Sequence, residues 1–198
     1  MNATVTVKGI KELRDKTSAS ILECQKALAE TNGDINKAVE YLRRRGLSIA
    51  EKKMDKAVSQ GRIGSYIHSN GKMGVIVELG CETDFVGNNE SFQMLLKDLC
   101  LHIAAMSPVV VSREQLNQEI INQEKEFYRK EVKDKPPQII DKIVEGKLEK
   151  FFYSQKCLLD QPFVKDDKIK VGDLIKNHIA KFGENIVVKR FQRFEIGK

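Results

Sequence analysis

The chain has 198 residues, 41% hydrophobic and 31% charged, with 34 Lys and Arg set against 28 Asp and Glu for a net charge of +6. That composition reads as soluble and globular rather than disordered, with room for one sizeable domain, or one small and one medium. The basic balance (pI ≈ 9.0) admits a nucleic acid, an anionic membrane surface or an acidic protein as partner, but the acids are interleaved and it selects none of them.

The opening "MNATVTVKGIKELRDKTS" has no apolar core of a secretory signal and no Arg- and Ser-rich, acid-poor character. The chain is therefore expected to stay in the cytoplasm, and no apolar run approaches the roughly 20 residues that span a bilayer. "VKGIKELRDK" sets Val7, Ile10 and Leu13 on one helical face. Ser20 and Glu23 have capping-box spacing ahead of a second helix carrying Ile21, Cys24, Ala27 and Leu28. "TNGD" is a turn, and Asp34 caps a third helix with Ile35, Ala38, Val39 and Leu42 that is expected to stop at Gly46. Residues 1–54 thus read as a small three-helix domain plus linker, too small to house an enzyme.

The period then changes from 3.6 to 2. "RIGSYIHSNGKMGVIVELG" reads as a hairpin turned at Asn70-Gly71, with Met73, Val75, Val77 and Leu79 on one side of its second strand. A helix starting near Asn88 or Asn89 follows and ends at Ser107-Pro108. Residues 112–149 hold two helical runs split by "DKPPQ", read as an antiparallel helical hairpin projecting into solvent. "LLDQPFVKDDK" reads as irregular, and "VGDLIKNHIAKFG" as a helix. "NIVVKRFQRFEIG" reads as a strand with Ile186, Val188, Phe194 and Ile196 on one side. Residues 55–198 therefore read as an α+β core with a small antiparallel or mixed sheet.

Motifs for enzymatic chemistry are missing: no phosphate-binding loop, dinucleotide fingerprint, nucleophile elbow or zinc-protease helix occurs. The four cysteines are scattered without Cys-x-x-Cys spacing, as expected of reduced buried thiols, so neither a disulfide framework nor a metal site is expected. His68 is expected to face solvent near the hairpin turn, while His102 lies close to an apolar face as a core or interface residue. For nucleic acid, the best stretch is "VVKRFQRF", where Phe191 is either a stacking base platform or part of a half-buried strand.

One stretch asks for a reason. "LGCETDFVGNN" sets Asp84 beside Phe85 in a surface turn, where an aromatic gains nothing from burial unless something else covers it. Either Phe85 folds back into the core, or it is a wedge for a partner's apolar pocket with Asp84 acting on polar chemistry beside it.

"LRDKTSASILECQKAL" (13–28) and "ELGCETDFVGN" (78–88) resemble the two signature segments of the elongation factor Ts family. "HIAAMSP", "IVEGKLEKFF", "DQPFV" and "RFEIG" are similar to it in the same order, so the likeness spans the chain. The resemblance implies a guanine-nucleotide exchange factor for the GTPase elongation factor Tu, with no cofactor and no catalysis of its own. It implies a ubiquitin-associated-like N-terminal domain, and a loop of Thr83, Asp84, Phe85 and Val86 that dislodges Mg²⁺ from the GTPase. Further contacts are expected at Arg14, Ile21, Leu22 and His102, with no stable nucleic-acid binding and no membrane. With one core half the chain resembles the family's compact members, some of which dimerise, so a monomer and a homodimer in a 2:2 complex are both open. Gly80 and Gly87 depart from the family's usual Asn and small Ala or Ser.

Overall fold

A computed structural model describes residues 5–17, 19–133 and 136–197. Ser18 of the "TSAS" turn and Asp134 and Lys135 of the "DKPPQ" connection lie outside the described residues.

Three helices come first: α1 (Val7–Thr17), α2 (Ile21–Glu30) and α3 (Ile35–Lys53). Ser20 Oγ accepts the Glu23 N–H at 3.2 Å and Asp34 Oδ1 accepts the Lys37 N–H at 3.0 Å, each satisfying an orphan donor of a first turn. The Glu23 carboxylate does not reach back to complete a capping box; it pairs with Arg45 Nε at 2.8 Å. Leu13, Cys24, Ala27, Leu28 and Ala38 form the small core of these helices.

The third helix does not stop at Gly46 but runs on to Lys53. Glycine is tolerated there for a packing reason. A Cβ at Gly46 would meet Ala180 Cβ at 3.2 Å, so its absence lets α3 lie close against α9 (Val171–Phe182). The N-terminal helices are thereby docked on the rest of the chain.

The remainder is α+β. Strands β1 (Gln60–Ile67), β2 (Met73–Cys81) and β5 (Ile186–Glu195) form an antiparallel sheet in the order β1-β2-β5. The hairpin turn is at the expected place, with Gly71 at φ +67° and Asn70 Oδ1 accepting the Lys72 N–H at 2.9 Å. Val75, Val77 and Leu79 face inward and are covered by Phe92, Leu95, Leu96, Leu99 and Ile103 of α5 (Glu90–Met106).

The last strand departs from strict alternation. Glu78 pairs with Arg190 but Leu79 pairs with Val188, leaving Lys189 as an extra residue in a bulge. Side-chain parity inverts there. Ile186 and Val188 are buried as expected, while Phe194 and Ile196 emerge exposed and Phe191 turns toward the core.

A helical hairpin of α6 (Gln118–Glu131) and α7 (Pro137–Lys147) continues through a π-helical turn at Leu148–Tyr153 into one-turn α8 (Ser154–Lys156). It has its own core, built on Ile121, Tyr128, Val144, Leu148 and Phe152. Its base is clamped by Arg113, which donates to Asp160 Oδ2 and to Glu149 Oε2, each at 2.7 Å, and lies 4.3 Å over the Tyr153 ring. Burial pushes the Asp160 carboxyl up, but the Arg113 guanidinium outweighs it and the net shift is downward.

The stretch expected to be irregular instead holds a 3₁₀ turn (Leu158–Asp160) and strand β3 (Pro162–Phe163), which pairs with β4 (Asp166–Lys170). Its turn residues, Val164 and Lys165, carry none of the Gly or Asn that would announce a turn. Among the described residues no helix is long and apolar enough to cross a membrane.

Candidate partner-docking loop

Strand β2 ends at Cys81, and the chain reverses into a single helical turn, α4 (Asp84–Asn88), before Asn89 caps α5. Thr83 is extended at φ −124° and caps this turn, its Oγ1 accepting the Val86 N–H at 3.4 Å. One turn presents its residues around a cylinder. Val86 and Gly87 fall inward and are buried, so Asp84 and Phe85 must point out. Phe85 is 84% exposed. The alternative in which it folds back into the core is not what the backbone allows.

The turn is held on both sides. Arg62 on β1 donates from Nε to the Gly87 carbonyl at 2.7 Å and also bonds Asn88 Oδ1. The Cys81 thiol donates to the Thr83 carbonyl at 3.0 Å, and burial pushes that thiol's pKa up. From the α9–β5 connection, Glu184 accepts from both Thr83 N and Thr83 Oγ1, at 3.0 and 2.7 Å. Glu82 accepts the Asn185 N–H at 2.7 Å, and this bond holds its carboxyl below the usual range.

The other expected contact residues are dispersed. Arg14 is exposed on α1, and Ile21 and Leu22 open α2 with more than half of each side chain in solvent. His102 belongs to none of these surfaces. It is fully buried, with Nε2 2.9 Å from Gln161 Oε1 and Nδ1 accepting the Val164 N–H at 3.2 Å. That pair of partners fixes the neutral ring with its proton on Nε2, and burial lowers its pKa. The expectation that His102 touches a partner is corrected: an apolar helix face, here of α5, faces the core first.

Two features escape sequence reasoning. A cleft of about 490 Å³ opens between the N-terminal helices and α9, with Leu42, Ile49 and Phe182 among its apolar walls and Lys16 and Arg43 at hand. Ile49, on the part of α3 past Gly46, lines one wall. The outer face of the sheet is the second feature. Ile63, Ile67, Ile76, Phe194 and Ile196 are all exposed, and Ile67 lies over Gly74, whose added Cβ would meet its Cδ1 at 3.0 Å.

The family model described as "Elongation factor TS" matches residues 4–198. Proteins named elongation factor Ts from Thermodesulfovibrio yellowstonii and Thermosipho melanesiensis are 53% and 52% identical to this chain. Each alignment covers 98% of this chain, and 97% and 100% of the respective relative. That from Thermotoga maritima is 53% identical over 96% of this chain and 94% of its own. These relatives are covered almost end to end, so the compact length is theirs too. A chain matched this completely belongs to the elongation factor Ts family of translation elongation factors.

Proposed function

We propose that this chain is the guanine-nucleotide exchange factor of elongation factor Tu, binding the GDP-bound GTPase, dislodging its Mg²⁺ and promoting replacement of GDP by GTP. The observation that carries the reading is Phe85, an aromatic 84% exposed on a turn braced from two sides. Buried in a partner, such a side chain supplies about 2–3 kcal/mol. Mg²⁺ demands near-ideal octahedral geometry, so a modest displacement of its ligands weakens its bridge to the nucleotide phosphates. Binding of factor and GDP must weaken each other by the same ratio, so exchange accelerates while the GDP/GTP equilibrium stays where it was. Thr83, Asp84 and Phe85 act at the GTPase; Val86, buried, anchors them.

In this reading residues 1–54 are a docking module offering Arg14, Ile21 and Leu22, and residues 55–198 are the core. The exposed sheet face seats a second copy of the chain, giving a homodimer in a 2:2 complex. A two-fold interface needs one self-complementary patch, and the Ile67–Gly74–Phe194 row is apolar across all three strands.

The test is release of a fluorescent GDP from elongation factor Tu at fixed Mg²⁺, with the parent and with Phe85→Ala. The parent is expected to accelerate release, and the folded variant to need a half-saturating concentration about 100-fold higher. No acceleration by the parent overturns the reading; equal acceleration by both removes Phe85 from it.

A further inference from the structure

We infer that Glu184 is a positioning residue for the docking turn, and that the turn and the α9–β5 connection form a reciprocal clasp. The inference deepens the exchange reading above and rests on it for its functional arm.

The clasp is crossed. The Glu184 carboxylate receives the Thr83 N–H at 3.0 Å, while the Glu82 carboxylate receives the Asn185 N–H at 2.7 Å. Each of the two adjacent segments gives one backbone donor and one side-chain acceptor to the other. More than 100 residues of chain separate the partners, so neither bond is local. Gly183, at φ +69°, closes α9 and turns the chain so that Glu184 meets Thr83.

Glu184 also organises the cap itself. Its Oε1 takes the Thr83 hydroxyl proton at 2.7 Å, which fixes the hydroxyl rotor and leaves the Thr83 Oγ1 lone pairs for the Val86 N–H at 3.4 Å. The bond from Val86 to Thr83 is long, so it depends on that rotor being held. Without Glu184 the hydroxyl can turn and the one-turn helix loses its cap.

Asn185 carries the clasp further. It is buried, and its Nδ2 donates to Met54 O at 2.9 Å and Lys56 O at 2.7 Å, at the end of α3 and in the linker that follows. One short connection therefore ties together the docking turn and the end of the N-terminal helices. An exposed aromatic is useful to a partner only if its backbone is already ordered, because each residue ordered on docking costs about tenfold in affinity. Glu184 spares the Thr83–Val86 turn that cost.

The experiment uses the full chain with Glu184→Ala and Glu184→Gln. Amide hydrogen exchange at Thr83 and Val86, read by NMR on the factor alone, should quicken at least tenfold in Glu184→Ala. Glu184→Gln should fall between, because one acceptor oxygen remains and its NH₂ faces a donor. In GDP release from elongation factor Tu, Glu184→Ala should raise the half-saturating concentration about tenfold in the parent. In the Phe85→Ala background the increase should be smaller, because Phe85 is one of the groups the turn positions and its share is already lost. Unaltered exchange at Thr83 overturns the inference, and so does an equal loss in both backgrounds. If the parent releases no GDP, the functional reading falls and the amide measurement alone decides whether Glu184 holds the turn. If Glu184→Ala does not fold, Glu184→Gln carries both measurements.

Discussion

Gly64 on β1 offers a quantitative test of how the sheet carries α5 and, with it, the turn that bears Phe85. It pairs with Val77 and faces the helix; a Cβ there would fall 2.5 Å from Leu96 Cγ and 2.9 Å from both of its methyls. Leu96 is buried and its branch point cannot swing aside as a chain end would. Gly64→Ala is therefore an overpacking change, costing about 2 kcal/mol. For a chain of this size that lowers Tm by roughly 4–8 °C. Leu96→Ala alone removes a buried leucine and costs about 2–5 kcal/mol. Together the two changes should not add. The new methyl enters space the leucine has left, so the double variant should be at least as stable as Leu96→Ala, a coupling of about 2 kcal/mol. Urea midpoints at unchanged m give all four corners of the cycle. Simple additivity, or a Gly64→Ala cost under about 0.5 kcal/mol, would refute the claimed contact.

Stability should fall in mild acid because two histidines are held neutral. Burial lowers the pKa of both His102 and His178 below the usual value, so their contribution is complete above about pH 6.5 and is lost as pH falls toward their folded values. Each can contribute a slope of up to about 1.4 kcal/mol per pH unit; the urea midpoint should be lower at about pH 5.5 than at about pH 7.5, less so in His102→Gln, and a flat profile would contradict the lowered pKa of the two rings. The exposed sheet face predicts concentration-dependent dimerisation in sedimentation equilibrium, lost in Ile76→Lys with little change in unfolding midpoint, since Ile76 is 47% exposed. A parent that stays monomeric at its highest soluble concentration would remove the second copy from that face.

What could be read from the sequence was local. The caps at Ser20 and Asp34, the Asn70-Gly71 turn and the inward set Val75, Val77 and Leu79 are each decided within a few residues, and each lies where periodicity put it. The prominence of Phe85 was posed by the sequence as a choice and decided by Val86, whose burial fixes the phase of the turn. The misreadings arose where a distant partner overruled a local rule. Gly46 looks like a helix stop until Ala180 is placed against it. Strict alternation in β5 fails at Lys189 because the bulge is defined by pairing with β2, not by β5 itself. His102 sat on an apolar face, and only Gln161 and Val164 reveal how a polar ring is satisfied there. Glu184 carried no local signal, as its partner Thr83 lies 101 positions away.

The strand order has a consequence for how the molecule is made. β2 is the middle strand, and β1 joins it at once through a tight turn, but its other neighbour is β5, the last strand in chain order. During synthesis roughly a hundred residues must emerge between the two, about 5–20 seconds at ordinary elongation rates. Through that interval a nascent β2 presents a bare row of amide and carbonyl groups along one edge, the kind of edge that recruits other chains. The same wait applies to Glu184 and Asn185, which leave the ribosome just ahead of β5. A ribosome-bound fragment stalled before that point would hold the helical hairpin and α5 but neither a finished sheet nor the Glu184 brace of the Phe85 turn. The turn that carries Phe85 thus acquires its Glu184 partner only after about a hundred further residues have been made.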